Sequence, residues 1–268
     1  MPVRARGRAH VSARRLGARS VLKDLHQSGS MRVLFPRPAA PPTAMLLNTA
    51  GGITGGDTFD ISAHAETGSH LTLTTQAAER IYAANSGATG KVLTQLEVGE
   101  NASLWWLPQE TILFDKSALD RRLHVDLGEN AEALLVEPLV FGRTASGEVL
   151  NHCLLRDRVR ITQNGRVIYA DGIAVDTPAI GQLTHPAIAD GAGAMATLVQ
   201  IGPRAQPNLD PVRERIAQNS SNLAGASLLT PEILVLRALA PDSFALRQLL
   251  LPILDDLTGG RLPICWRL

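Results

Sequence analysis

The tetrapeptide Gly99-Glu100-Asn101-Ala102 recurs as Gly128-Glu129-Asn130-Ala131, and this repeat governs the predicted architecture. An earlier and weaker copy is Thr67-Gly68-Ser69, which makes the spacings about 33 and about 29 residues. Each copy lies between stretches typical of β-strands. Strand–turn–strand units that recur at such a period stack on one another and bury a continuous core. The repeat therefore predicts layered sheets wound like a distorted β-helix, with chance recurrence of a turn and a strand as the alternative.

The chain up to about residue 174 alternates apolar and polar residues with the period of a β-strand. Residues 71–74 and 122–127 show this alternation clearly. Asn164-Gly165 separates two such stretches, and because both residues tolerate positive φ, the dipeptide predicts a two-residue hairpin turn. The fold class that follows is mostly β.

The C-terminal third instead predicts two α-helices. Asp210 is expected to cap the first helix, with Pro211 at its first position. Apolar residues recur at helical spacing from Asp242 to Leu257 and predict the second helix, which Pro252 is expected to kink or shorten. Between the two helices, residues 233–236 have the composition of a buried strand.

The composition is that of a globular protein of 268 residues, with 45% hydrophobic and 19% charged residues. We expect a single domain over 1–268, with a β body over about 1–205 and a helix-containing part over about 206–268. The net charge of +1 gives no reason to expect nucleic acid or an acidic membrane as a partner. No apolar run is long enough to span a bilayer. Two distant cysteines, Cys153 and Cys265, exclude a disulfide framework and a thiolate zinc site.

The N-terminal residues 1–23 are rich in arginine and contain no acidic residue. That composition resembles a transit peptide. Arg4, Arg6, Arg8 and His10, however, alternate with small or apolar residues, which favours a solvated basic strand. The pattern favours the strand over the transit peptide.

No common catalytic motif is present in the sequence. The glycine-rich run Gly51–Asp57 lacks the Lys-Ser/Thr pair of a phosphate-binding loop and the spacing of a dinucleotide-binding fingerprint. The sequence contains neither a serine nucleophile elbow nor a metalloprotease histidine pair. Doubled glycines allow positive φ or a close backbone approach. They predict either a tight turn, which the spacing favours, or a bend that aims Asp57 inward.

Three further acidic residues stand at unusual positions. Glu79, followed by Arg80, predicts either a surface ion pair or a polar cluster that faces a cavity. Glu137 lies between two apolar runs, where a carboxylate is costly to bury unless it is paired or bound to a cation. Arg143 is the nearest partner in sequence for Glu137. Asp171 is expected to start a turn.

The histidines and cysteines form no cluster that would bind a transition metal tightly. His152 and Cys153 are neighbours, so on a strand they point to opposite faces. His64 and His70 approach each other across a turn only if the strand register allows it. Carboxylates occupy the unusual positions instead, which suits weak or transient binding of a divalent ion.

Several blocks, in order along the chain, resemble the urease accessory proteins of the UreD family, also called UreH. The blocks are Met31–Arg37, Leu47–Asp57, Thr74–Tyr82, Trp106–Phe114, Glu137–Arg143 with Gly147-Glu148, and Trp266–Leu268. The resemblance covers nearly the whole chain, so the basic N-terminus corresponds to the first strands of that family.

The resemblance implies a β-rich, distorted helix-like fold with two helices and no enzymatic activity. It implies a cytoplasmic chaperone required for urease maturation, which binds apo-urease and UreF, with the GTPase UreG docked on UreF. Nickel released by UreG is expected to pass through the interior of this protein to the urease active site. No cofactor is therefore expected to be bound permanently, and nickel(II) is expected to be bound transiently.

The resemblance also suggests which residues line that passage. Asp57 and Glu137 match acidic positions of the family, Asp171 matches a further one, and Glu79 completes the set. Oxygen ligands hold nickel loosely, so the ion can enter and leave. Two alternatives stay open: an interaction scaffold that does not itself conduct nickel, and a β-helical hydrolase or lyase that uses paired carboxylates.

Overall fold

The computed structural model describes residues 4–36, 41–85, 87–143, 147–219 and 223–267. Arg37 and Leu268, which end two of the blocks above, lie outside the described residues, as do residues 1–3. The strands are β1 (Arg6–Leu16), β2 (Arg19–Gly29), β3 (Met31–Leu34), β4 (Thr43–Asn48), β5 (Thr58–Ala65), β6 (His70–Thr75), β7 (Glu79–Ile81), β8 (Gly90–Val98), β9 (Ser103–Leu107), β10 (Thr111–Leu113), β11 (Ser117–Leu127), β12 (Glu132–Phe141), β13 (Cys153–Gln163), β14 (Arg166–Val175), β15 (Ala194–Ile201), β16 (Leu223–Thr230) and β17 (Ile233–Ala240). The helices are α1 (Thr177–Ile180), α2 (Ala205–Ala217) and α3 (Ser243–Thr258), followed by a 3-10 turn over Ile264–Arg267.

The strands form two sheets that pack face to face. Sheet A has the order β14-β13-β11-β8-β5-β1-β2, and its strands β1, β5, β8, β11 and β13 run parallel to one another. Sheet B has the order β16-β17-β15-β12-β9-β6-β4-β3, with β10 paired to β12 and β7 paired to β10. From β5 to β13 the chain crosses repeatedly between the two sheets. The prediction of layered sheets wound like a distorted β-helix is therefore confirmed.

The sequence repeat forms one corner of this winding. Gly68, Asn101 and Asn130 occupy equivalent turns with positive φ of 68°, 54° and 53°. The turns stack through backbone hydrogen bonds: the Gly68 amide donates to the Glu100 carbonyl at 2.9 Å, and the Asn101 amide donates to the Glu129 carbonyl at 2.9 Å. Glycine and asparagine tolerate this left-handed conformation better than other residues. The two strong copies and the weaker first copy are thus confirmed as stacked turns.

Two apolar layers hold the sheets and helices together. One core lies between the sheets and includes Trp106 and Leu135, whereas the other lies between sheet B and the helices and includes Trp105, Leu134 and Leu250. Because successive side chains of a strand point to opposite faces, β9 and β12 serve both cores. Sheet B is therefore the middle layer, and polar residues that face sheet A are enclosed.

The hairpin and the basic N-terminal strand predicted from the sequence are both present. Asn164 and Gly165 turn with φ of 50° and 75° between β13 and β14. β1 pairs with β2 in antiparallel register, and Arg6 and Arg8 of β1 are exposed. Within the described part of residues 1–23, β1 and the first half of β2 are thus strand, joined by a turn at residues 17 and 18.

Helix α3 begins where the sequence predicts. The Ala245 amide donates to Asp242 Oδ1 at 2.8 Å, which makes Asp242 the N-cap. The helix continues beyond Pro252 to Thr258, so the expected shortening does not occur. Six buried residues of the helix and Thr258 pack on the core, and this burial outweighs the loss of one hydrogen bond at proline.

Helix α2 begins earlier than predicted. It starts at Ala205, and both Asp210 and Pro211 lie inside it, so the predicted cap at Asp210 was wrong. Pro207 stands in the first turn, where a missing amide hydrogen leaves no helical bond unmade. Pro207 was therefore the better signal for the start of the helix.

In the described part of the chain, no helix has the length and apolar character needed to cross a membrane. Cys153 and Cys265 are free thiols, and both are buried. His152 is exposed beside the buried Cys153, so the two side chains point apart as expected.

Candidate functional site

A cavity of about 400 Å³, called here the central cavity, lies between the two sheets. Strands β5, β8 and β11 of sheet A and strands β3, β4, β6, β7, β9, β10 and β12 of sheet B contribute to its walls. The walls are mostly apolar, but they carry polar side chains that include Asn48, Glu79, Gln109, Arg121 and Glu137. Two of the four predicted acids, Glu79 and Glu137, therefore line the same cavity.

The glycine run forms part of the wall through close backbone packing. Gly51 and Ile53 line the central cavity. Gly52 has φ of 153°, and a Cβ atom there would lie 2.3 Å from Tyr82 Cε2 and 2.6 Å from the Arg80 carbonyl oxygen. Only glycine fits at this position, because the backbone of the run touches the segment that follows β7.

A buried ion-pair network lies on the cavity wall. Arg121 of β11 donates from Nε to Asp157 Oδ1 at 3.0 Å, and its Nη2 lies 2.5 Å from Asp157 Oδ2. Its Nη1 donates to Thr111 Oγ1 at 3.0 Å and lies 2.6 Å from Glu137 Oε2. The guanidinium group of Arg121 thus faces the carboxylates of both Asp157 and Glu137. If all three side chains are ionised, their summed charge is negative.

The sequence-based partner of Glu137 was wrong. Arg143 pairs with Glu148 at 3.2 Å and lies beyond the end of β12, whereas Arg121 reaches Glu137 from the opposite sheet. Sequence proximity could not reveal this contact, because β11 and β12 belong to different sheets whose facing side chains meet in the interior.

The two oxygens of Glu137 have different environments. Trp106 Nε1 donates to Oε1 at 2.5 Å. Oε2 is in ion-pair contact with Arg121, yet it has no hydrogen-bond partner among the described residues. Burial raises the pKa of Glu137, while the positive charge of Arg121 opposes that shift. Burial also acts to lower the pKa of Arg121, but the charges of Asp157 and Glu137 outweigh it and raise that pKa.

Thr197 of β15 carries a second buried oxygen without a partner. Its Oγ1 and Glu137 Oε2 are the two buried side-chain polar atoms, among the described residues, that lack a hydrogen bond. Thr197 is directly opposite Glu137 in the antiparallel pair of β15 and β12. Directly opposed residues have Cβ atoms about 5 Å apart on one face of the sheet. Since buried polar atoms nearly always find partners, Thr197 Oγ1 marks a place for a water molecule, whereas Glu137 Oε2 is already held by Arg121.

Glu79 lines the central cavity at the start of β7, while the next residue, Arg80, is exposed. Burial raises the pKa of Glu79 from its ordinary 4.5 to about 7, although the hydrogen bond from Asn48 Nδ2, at 3.1 Å, favours the charged form. The structure therefore favours a polar cluster facing a cavity over a surface ion pair.

Asp171 does not start a turn, and that expectation was wrong. It lies within β14, where its Oδ2 is 2.7 Å from Arg237 Nη2 and accepts a hydrogen bond from the Tyr169 hydroxyl at 3.0 Å. β14 continues because it pairs with β13 as far as Val175. The same Arg237 and Tyr169 help to line a second cavity of about 410 Å³, called here the edge cavity. It is lined by residues of β14 and β16, the strands at one edge of each sheet.

A polar row crosses sheet B from a residue of the central cavity to a residue of the edge cavity. Glu137, Thr197 and Arg237 are directly opposite one another on β12, β15 and β17, so their side chains share one face. Glu137 lines the central cavity and Arg237 lines the edge cavity. Thr197 therefore stands between the two.

Asp57 is buried, but its carboxylate is fully engaged by the backbone. The Ala5 amide donates to Oδ1 at 2.8 Å, and the Thr54 amide donates to Oδ2 at 2.9 Å. The described residues that line the two cavities do not include Asp57 or Asp171. The geometry of Asp57 fits a group that holds the glycine turn, and its place on a metal path stays a prediction.

Sequence reasoning missed Arg121, Asp157, Thr197 and Arg237. Arg121 interrupts the buried series Leu119, Leu123 in β11, and Arg237 interrupts the corresponding series in β17. A charged or polar residue in the buried phase of an alternating strand is a signal that the sequence does contain.

Comparison with known proteins supports the resemblance. The family profile described as UreD urease accessory protein matches residues 5–265. This chain belongs to the UreD urease accessory protein family. It is 51% identical to the Urease accessory protein UreD of Ruegeria sp. (strain TM1040), over 100% of this chain and 92% of that protein. It is 47% identical to that of Roseobacter denitrificans, over 99% and 96%, and 42% identical to that of Rhizobium rhizogenes, over 100% and 97%.

The side chains of this UreD chain that line the central cavity offer oxygen atoms as possible metal ligands. Within the described ranges, no group of three or more His, Cys, Asp or Glu side chains is placed to hold a metal ion. His64 and His70 belong to different sheets, and His70 instead contacts the hydroxyls of Ser103 at 2.6 Å and Thr72 at 3.0 Å. Burial lowers the pKa of His70 to about 4, so this imidazole is neutral and structural.

Proposed function

We propose that this chain acts in urease maturation as a chaperone that passes nickel(II) through its interior toward urease. Membership of the UreD urease accessory protein family supports the role in maturation, and the family's description as an accessory protein supports a chaperone rather than a catalyst. The observation that carries the nickel proposal is the central cavity, whose wall brings the carboxylates of Glu79 and Glu137 together between the two sheets.

The donor chemistry suits a transient cargo. The groups of the central cavity that could bind a metal are carboxylate, amide and hydroxyl oxygens, which hold a divalent transition metal more loosely than imidazole or thiolate ligands do. When ionised, Glu79 and Glu137 bring negative charge into a mostly apolar wall that also carries the guanidinium groups of Arg80 and Arg121. In the proposed path a partly hydrated ion exchanges water for these oxygens at each step. Asp57 and Asp171 remain proposed members of the path, with direct partners that an ion would have to displace or bypass.

The proposed assembly contains apo-urease, UreF, and UreG held through UreF, in the cytoplasm. Its support is the family resemblance of the sequence blocks. Neither nucleic acid nor a membrane is a proposed partner, which agrees with the net charge of +1.

The test uses cells that carry the urease genes and depend on this chain for active urease. Glu137→Gln and Glu79→Gln are compared with Glu97→Gln, whose side chain is 66% exposed on the outer face of sheet A. The measurements are urease activity and nickel per urease at limiting nickel, together with co-purification of UreF, UreG and apo-urease.

We expect the two cavity variants to lower nickel loading several-fold while the complex still forms, and the control to behave as the wild type. Full loading in both cavity variants would reject the interior path. The second candidate, an interaction scaffold that does not conduct nickel, would then hold, and the backbone-engaged carboxylate of Asp57 is the observation that favours it.

A further inference from the structure

We propose that the outer face of sheet A, which is turned away from sheet B, docks the acidic surface of a protein partner in the assembly proposed above. Helices α2 and α3 pack on sheet B, on its side away from sheet A. The proposal rests on the proposed function, because it takes the partner from that assembly and adds the surface that holds it. The residues that form this surface, called here the basic patch, are Lys91, Arg122, Arg156, Arg158 and Arg160.

The basic patch is a regular array, because its strands are in register. Arg156, Arg158 and Arg160 are alternate residues of β13, so their exposed side chains share the outer face at intervals of about 7 Å. Arg122 of β11 is directly opposite Arg158, and Lys91 is exposed on the same face of β8. The five side chains therefore form one continuous positive surface.

One carboxylate within the array balances only part of this charge. Asp120 Oδ2 lies 3.2 Å from Arg122 Nη2, and its Oδ1 lies 2.9 Å from Arg158 Nη2. The members of the patch without an ion pair among the described residues are Lys91, Arg156 and Arg160. Like charges at such short range repel one another, so the patch costs stability in the isolated chain. Carboxylates of a partner would offset that repulsion.

The surroundings of the patch leave it open on one side and limit it along the strands. On the edge strand β14, the small exposed residues Ala170, Gly172 and Ala174 are directly opposite the three arginines of β13. A partner can therefore approach the guanidinium groups across β14 without meeting a bulky side chain. Further along β8 and β11, Glu97 is directly opposite Asp126, so the positive surface ends there.

An acidic protein surface fits the basic patch better than nucleic acid does. The three arginines of β13 span only about 13 Å, and Asp120 would repel a phosphate backbone that crossed the patch. Strands β8, β11 and β13 contain no Phe, Tyr or Trp on which a base could stack. Carboxylates, in contrast, form planar two-point pairs with guanidinium groups.

The decisive variant combines Arg156→Glu with Arg160→Glu, because these arginines have no ion pair within the described chain. The matched control combines Arg14→Glu with Arg19→Glu, which makes the same change of charge at exposed positions near the other edge of sheet A. Binding of the full-length chain to purified UreF and to purified apo-urease is measured by surface plasmon resonance at about 0.1 M and about 1 M salt.

We expect the patch variant to bind one of these two partners about tenfold more weakly than the wild type at the lower salt, because it sets like charges against each other. The control should bind as the wild type does. Raising the salt shortens the Debye length from about 10 Å to about 3 Å, so it should weaken the wild type more than the patch variant.

A neutral variant shows whether the two arginines have a structural role instead. Arg156→Gln combined with Arg160→Gln should weaken binding less than the charge reversal does. Both double variants should keep the urea midpoint of unfolding or raise it, because they relieve repulsion among the cations. A lower midpoint in both would assign the arginines to stability and overturn the proposal.

The remaining outcomes separate this proposal from the one on which it rests. If the wild type binds a partner and the patch variant binds it equally well, the basic patch fails and the proposed assembly stands. If the wild type binds neither UreF nor apo-urease, the assembly fails and the patch fails with it. Binding of a short duplex DNA by the wild type that the patch variant loses would identify a nucleic-acid surface and overturn the assignment to a protein.

Discussion

Glu79 should make the stability of the protein fall as the pH rises from about 5 to about 8. Its pKa in the folded protein is about 7, against an ordinary value of 4.5. The folded state therefore binds this proton more tightly than the unfolded state does. The contribution is fully present below the unfolded pKa and is lost as the pH rises through the folded one. The difference between the two pKa values corresponds to about 3 kcal/mol.

The physical cause is the burial of a carboxyl group in a mostly apolar wall. The hydrogen bond from Asn48 and the charge of Arg80 favour ionisation, but they do not compensate for the lost hydration. Arg80, Arg121 and Glu137 are the other charged residues that line the same cavity. Glu79→Gln keeps the size and the hydrogen-bonding shape of the side chain and removes the titration.

The assay is urea unfolding of the wild type and Glu79→Gln at pH 5 and at pH 8. The variant should gain about 3 kcal/mol relative to the wild type between the two pH values. This double difference is needed because His70 titrates in the same window with the opposite sign and is present in both proteins. Glu97→Gln, on the outer face, should show no such change. A double difference below about 1 kcal/mol, close to the error of such extrapolations, would refute the reasoning.

Two further predictions concern the fold. His70 has a pKa of about 4, below its ordinary 6.5, so its contribution to stability is present above pH 6.5 and is lost as the pH falls toward 4. Glu79 titrates in the same range with the opposite sign and is present in both proteins, so the two proteins must be compared. Urea unfolding at these two pH values should show that the wild type loses about 3 kcal/mol relative to His70→Gln, and an equal change in both proteins would contradict this. Gly52→Ala should lower stability by about 3 kcal/mol or more, because the new Cβ meets Tyr82 and the Arg80 carbonyl. Gly51→Ala, with nothing within 4 Å of its Cβ, should cost about 1 kcal/mol, and thermal melts that rank the two variants equally would disprove the packing argument.

Local features of the sequence predicted the winding of the chain well. Asn101 and Asn130 stand in stacked left-handed turns, and Asn164-Gly165 forms the expected hairpin. Each of these signals depends on the conformational preference of one or two residues, so it can be recognised without knowledge of distant contacts. The helical spacing of apolar residues likewise predicted where α3 begins, although its cap at Asp242 is a finding of the structure.

The candidate site was predicted in part. Glu137 was correctly singled out as a carboxylate within an apolar strand, and it lines the central cavity together with Glu79. Its cation, however, is Arg121 rather than Arg143, and its partnerless neighbour is Thr197. The members of the site stand on strands from both sheets, and their meeting depends on the stacking of the sheets.

The amino-acid pattern was sufficient for the class of fold, for the repeated turns and for the family, because these depend on side-chain alternation, on backbone preference and on blocks of similar residues. Packing two sheets face to face decided the rest. It pairs Arg121 with Glu137 and Asp157, raises the pKa of Glu79, and leaves Thr197 Oγ1 buried without a hydrogen bond. Charge and hydration at a buried point depend on every group that surrounds it in space, and most of those groups are far away in the chain.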